Sequence, residues 1–135
     1  MTHLLDTSAF LAFFLDETGA GYVRSLFEAD DHEIAISVLT QVEFWARLKS
    51  LGREGDFEPE WKLHLPLFQA VFEVDDAVAA QSIVLRRASP RRLPTVDALI
   101  AATAAVHDLV LVHRDPHFRS VEARHLKQID LRMEP

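Results

Sequence analysis

The sequence contains no cysteine. That excludes a disulfide framework and any thiolate metal site, and it fits a reducing compartment, so the cytoplasm is the expected location. Long apolar runs are missing as well. The apolar run over residues 9–15 is short, follows Asp6 and has no basic segment ahead of it, so neither a signal peptide nor a membrane span is expected. Basic charge is scarce: 14 Lys and Arg stand against 21 Asp and Glu, a formal net charge of −7. So acidic a chain is a poor general coat for nucleic acid. It can still cut nucleic acid if its acids gather on a metal and its arginines are grouped locally. No repeat, low-complexity tract or linker is visible. Hydrophobic residues make up 49% of the 135, enough for a real core, so a single domain over residues 1–135 is expected.

Short apolar strands alternate with amphipathic helices. Strands are predicted at residues 3–6, 33–38, 71–74, 109–112 and 126–131. Helices are predicted at residues 9–15, with Thr7 and Ser8 as caps, and at 22–29, 39–51 and 77–88, with a further helix after Pro94. Residues 55–59 read as a loop. Beyond it Phe57, Trp61, Leu65 and Phe68 recur at helical spacing, as core or as a partner face, and Pro66 kinks or splits the segment. The tail over residues 132–135 is expected to fray. This alternation implies an α/β fold, a three-layer α/β/α sandwich around a mainly parallel sheet.

Four acids fall where such a sheet presents ligands, at or near the carboxyl ends of its strands. Asp6 ends the first strand, and Asp115 follows the apolar run 109–112, which reads as a strand buried on both faces. Asp97 lies in the first turn of the helix after Pro94 and shares a wheel face with Ile100, Ala101 and Ala104. It either complements the helix dipole or joins a site. Glu43 borders the stripe Leu39, Val42 and Ala46 of its helix, as a surface glutamate or as a fourth acid. Four carboxylates in one place repel unless a cation sits between them. Oxygen-only ligands favour Mg²⁺, or Mn²⁺, over zinc, and such a site suits phosphodiester hydrolysis by a metal-activated water. Arg86, Arg87, Arg91 and Arg92 surround a turn upstream of Asp97, either as a solvated helix end or as a phosphate-binding rim.

The stretches Leu4-Leu5-Asp6-Thr7-Ser8-Ala9, Val42-Glu43, residues 93–104 and Arg114-Asp115-Pro116-His117-Phe118, in that order and at these spacings, resemble a PIN domain. The nearest subgroup is the VapC-type toxin of toxin–antitoxin pairs. The resemblance runs from residue 4 to about residue 118. It implies strand order 3-2-1-4-5 and a Mg²⁺-dependent endoribonuclease with Asp6, Glu43, Asp97 and Asp115 as the acids. The expected direct metal ligands are Asp6, Asp97 and Asp115, with Glu43 acting through water. It further implies a homodimer and a small VapB-like antitoxin covering the groove. Ser8 matches the small polar position near the metal and also suits a helix cap. At position 113 the family usually has a small hydroxyl or amide residue; here His113 can donate a hydrogen bond in its place or hold RNA phosphate when protonated. Arg114 joins the RNA-binding candidates. Pro116 between His113 and His117 argues against a zinc pair. A PIN-like scaffold acting mainly through protein or RNA binding is the alternative. A phosphatase with Asp6 as nucleophile is disfavoured, because Ser8 stands where the paired Asp-x-Asp motif needs its second acid.

Overall fold

The computed structural model describes residues 1–133. Five strands, β1 (His3–Leu5), β2 (Ile34–Ser37), β3 (Ala70–Phe72), β4 (Val110–His113) and β5 (Gln128–Asp130), form one sheet in the order β3-β2-β1-β4-β5. Every neighbouring pair is parallel. Six α-helices accompany them: α1 (Thr7–Phe14), α2 (Ala20–Glu28), α3 (Val38–Ser50), α4 (Phe57–His64), α5 (Asp76–Ala88) and α6 (Thr95–Val106). Among the described residues no helix is long and apolar enough to cross a membrane.

Successive strand side chains point to opposite faces, and the sequence fills the two faces differently. Leu4, Ala35 and Leu111 face α5 and α6, in a core made of Leu85, Ile100 and the alanines of α6. Leu5, Ile34, Ile36 and Val112 face an aromatic core containing Phe10, Phe44, Trp61 and Phe68. β1 and β4 are adjacent at the centre of the sheet, so residues far apart in sequence meet at their carboxyl ends.

Several boundaries differ from the sequence reading. The cap of α1 is Asp6, whose side chain accepts the Ala9 N–H, and Thr7 and Ser8 lie in the first turn. In α3 the buried residues are Thr40, Phe44 and Leu48, while Val42 is 61% exposed. A helix advances 100° per residue, and burying the large Phe44 ring turns the helix onto that face. Residues 55–59 are not a loop: a 3₁₀ turn, Glu54–Asp56, leads straight into α4. Pro59 is accommodated in the first turn, where its missing N–H has no helical partner. Pro66 does split the segment, lying in a second 3₁₀ turn, Leu65–Leu67. Trp61 and Phe68 are core, whereas Leu63 is 70% exposed. In the tail, Arg132 is tied to Asp130 at 2.6 Å rather than frayed; Glu134 and Pro135 lie outside the described residues.

Candidate active site

Asp6 leaves the end of β1 as the cap of α1 and is 3% exposed. Its Oδ1 accepts the Ala9 N–H at 2.8 Å, and the Ser8 hydroxyl lies 2.7 Å from Oδ1 and 2.9 Å from Oδ2. The same Ser8 oxygen accepts the Arg114 N–H at 2.8 Å, which pins the start of α1 to the chain leaving β4. Burial pushes the Asp6 carboxyl up to about 8, against the two hydrogen bonds; the charges of Asp115 and Asp97 add to the rise.

Asp97 reaches the same edge from the first turn of α6. Burial, then the nearby Asp115 charge, raises it to about 6; His117 opposes the rise, and Glu43 adds to it. Asp115 caps a 3₁₀ turn, Pro116–Phe118, in which its Oδ1 accepts the His117 N–H at 2.9 Å. Glu43 approaches from α3, its Oε1 accepting the Thr7 hydroxyl, and Thr7 in turn contacts Thr40 at 3.1 Å. The four acids named from the sequence are therefore brought to one edge of the sheet. The contributions of the Asp115 and Asp97 charges to the rise at Asp6, and of the Asp115 and Glu43 charges to the rise at Asp97, both secondary to burial, reflect that convergence.

One residue of the site was missed. The His117 imidazole lies over the acids, with Nδ1 at 3.1 Å from Asp97 Oδ2 and 2.7 Å from Asp115 Oδ1. Donor atoms of Asp97, Asp115 and His117 all lie within 4.8 Å of one another, an arrangement that can hold a metal ion. The close trio thus joins two of the expected acids to a nitrogen donor, His117. Asp6 sits behind it, engaged by Ser8 and Ala9. In the sequence His117 stood out only as a zinc partner of His113. The usable signal was its place two residues after Asp115 in a Pro-initiated turn, which folds the ring back over the carboxylate.

His113 is fully buried, so it does not present its ring to phosphate. Its Nδ1 accepts the Asp115 N–H at 3.2 Å, which leaves Nε2 to donate to Gln128 Oε1 at 2.8 Å. Gln128 is itself fixed by donating to the carbonyls of Phe118 and Val121. Burial lowers the imidazole pKa, and the ring is a neutral bracket under the Asp115 turn.

The arginines divide. Arg86, Arg87, Arg91 and Arg92 are all exposed, and Arg86 donates to Thr95 Oγ1 at 3.2 Å at the start of α6. Arg91 lines a cavity of about 390 Å³ with Pro116, Arg119 and Ser120. Arg114, paired with Glu17 at 3.1 Å, lines another of about 350 Å³ that also holds Arg47, Arg132, Ser8 and Pro116. Both basic cavities abut Pro116, between Asp115 and His117. Arg47, Arg119 and Arg132 carried no sequence signal, because they come from separate elements.

The PIN domain family model matches residues 3–124. No curated protein sequence matches the chain. Among solved structures, FitAcB from Neisseria gonorrhoeae is 23% identical with a TM-score of 0.78, covering 98% of this chain and 99% of that one. A toxin–antitoxin complex from Klebsiella pneumoniae is 24% identical with a TM-score of 0.72, covering 96% and 98%. VapBC2 from Rickettsia felis, bound to a DNA fragment from the promoter, is 16% identical with a TM-score of 0.75, covering 96% and 98%. At these identities the likeness is one of fold.

Proposed function

The chain belongs to the PIN domain family, and from that premise we propose that it is a divalent-metal-dependent endoribonuclease, the toxin of a toxin–antitoxin pair, formed by a single domain over residues 1–135. The observation that carries the reading is the convergence of Asp6, Glu43, Asp97 and Asp115, two of them with carboxyl pKa values raised to about 8 and about 6. Among the described residues the side chain within ion-pair distance of both Asp97 and Asp115 is the His117 imidazole. Asp6, raised to about 8, is mainly ionised at neutral pH only with added positive charge nearby, and carboxylates with an imidazole fit Mg²⁺ or Mn²⁺.

A divalent cation bound there supplies Lewis-acid polarisation of a phosphoryl oxygen and lowers the pKa of a water. The protein's own contribution is positional. Asp97 and Asp115 present the oxygens that hold the cation, and Asp6 sets the charge behind them. Glu43, with one oxygen committed to Thr7, keeps the other to take a proton from the attacking water. Arg91 with Arg119 on one side of Pro116, and Arg47 with Arg114 and Arg132 on the other, hold phosphates flanking the scissile bond, the strand running across the Asp115 turn. Arg86, Arg87 and Arg92 extend that positive rim.

The neighbouring folds are those of toxin–antitoxin complexes, which supports a small VapB-like antitoxin as partner. Exposed Leu63 and Val42 on one side of the molecule, and Ile83 and Val84 on α5, supply apolar area for the antitoxin and for a homodimer contact in the cytoplasm. The deciding experiment is cleavage of RNA by the antitoxin-free chain with and without EDTA, beside Asp97→Asn. Cleavage is expected to need the metal and to fall about a thousandfold in the variant, about 4 kcal/mol of barrier. Equal cutting by wild type and variant, or in EDTA, overturns the reading.

A further inference from the structure

The geometry points to His117 as a nitrogen ligand of the catalytic metal, and hence to a site that selects Mn²⁺ over Mg²⁺. This rests on the metal-site reading above and goes beyond it by naming the donor that sets the ion.

Three features place the imidazole in the ligand shell rather than merely near it. First, its two distances to the acids suit neighbouring ligands of one ion. In an octahedral shell with bonds of about 2.1 Å, adjacent donors stand about 3 Å apart, and Nδ1 lies 3.1 Å from Asp97 Oδ2 and 2.7 Å from Asp115 Oδ1. Second, the backbone fixes the ring's approach. The His117 N–H is bound to Asp115 Oδ1 at 2.9 Å, and the next residue, Phe118, is fully buried against the His113 ring at 4.8 Å between centroids. The turn is therefore anchored on both sides of His117, and its side chain can reach the acids without moving the backbone. Third, the ring is half-exposed, and no described hydrogen bond or ion pair engages its Nε2. That nitrogen can carry the ring's proton into solvent while Nδ1 offers its lone pair to the cation.

Two carboxylates and an imidazole make a different site from four carboxylates. Mg²⁺ is a hard ion that prefers oxygen and holds its waters, so a nitrogen donor adds little to its binding. Mn²⁺ gains from an imidazole, as do the later first-row ions. His113 cannot play this part, since both of its nitrogens are committed to Asp115 N–H and to Gln128.

The test uses the purified antitoxin-free chain with Mn²⁺ as the probe, followed by calorimetry and by pulsed electron paramagnetic resonance for nitrogen hyperfine coupling to the bound ion. Wild type is expected to show that coupling, and His117→Ala to lose it while still binding Mn²⁺ about tenfold more weakly. Mg²⁺ affinity should change little, so discrimination between the ions falls by about the same factor. The His117 side chain is 47% exposed, so the variant is expected to fold. Mn²⁺ bound in a manner that Asp97→Asn abolishes, but without nitrogen coupling, overturns the ligand role and leaves the metal site standing. Persistence of the coupling in His117→Ala also overturns it. No Mn²⁺ binding by wild type overturns both this inference and the metal-site reading beneath it.

Discussion

The two faces of the sheet are filled by side chains of different size, a thin filling on one and a thick one on the other, and the site receives an acid from each. On one face α6 packs with Ala98, Ala101, Ala102 and Ala104, all fully buried. Small side chains let a helix lie close to its neighbours. On the other face α3 rides on Phe44, Phe10 and Trp61, whose rings meet edge-on or tilted at 5.0–6.2 Å. The acid delivered from the thin face is an aspartate, Asp97. The acid delivered from the thick face is a glutamate, Glu43, one methylene longer and steadied by Thr7. The longer acid thus comes from the face filled by the larger side chains.

The contrast can be broken most severely from the aromatic side. Phe44→Ala is expected to cost about 3–5 kcal/mol in urea unfolding, because a fully buried ring leaves a cavity that its neighbours cannot fill. On the thin face the opposite error is the damaging one: Ala101→Leu should cost about 1–3 kcal/mol by overpacking. Similar stability losses from Phe44→Leu and Phe44→Ala would show that the ring's volume is not what holds α3 in place.

Glu43→Asp sharpens the reach argument. It keeps the charge and withdraws the carboxylate by one methylene, so cleavage should fall about a hundredfold with little change in stability. An undiminished rate would mean that the layer thickness does not dictate the residue.

The burial and crowding of the acids can be read from pH dependence. Asp6 and Asp97 titrate in the folded protein at about 8 and about 6, above the ordinary 3.8. The native state therefore holds more protons than the unfolded chain between pH 4 and pH 8, and stability falls as pH rises through that window. Urea melts in EDTA should show the decline, with Asp6→Asn flattening it toward its upper end and a saturating divalent cation doing so throughout. A flat profile in EDTA would contradict the crowding of the acids.

The strands and most helices were legible because their burial follows simple periods: 2 for Leu4 and Leu5 on opposite faces, and a continuous apolar run for β4 between two covered sides. The four acids were legible for a related reason, since Asp6 and Asp115 directly follow strands, Glu43 lies in the helix that follows β2, and Asp97 lies in the first turn of α6. Two kinds of feature were not. The rotation of α3 depends on which of several apolar residues finds the larger cavity, so Leu39, Val42 and Ala46 formed as plausible a stripe as Thr40, Phe44 and Leu48. His117, Arg119, Arg47 and Arg132 owe their places to tight turns and to elements that meet only in three dimensions. His113 illustrates both limits: its position at the end of β4 was readable, but its partner Gln128 lies on the neighbouring strand.

The hydrogen bond from the Arg114 N–H to the Ser8 hydroxyl joins residues 106 positions apart. Until β4 arrives beside β1, Asp6 has its own helix to cap but lacks the Asp115 turn that completes the cluster. A growing chain thus makes its first acid long before the turn that carries Asp115 and His117, and the full cluster forms only once the chain has passed residue 117.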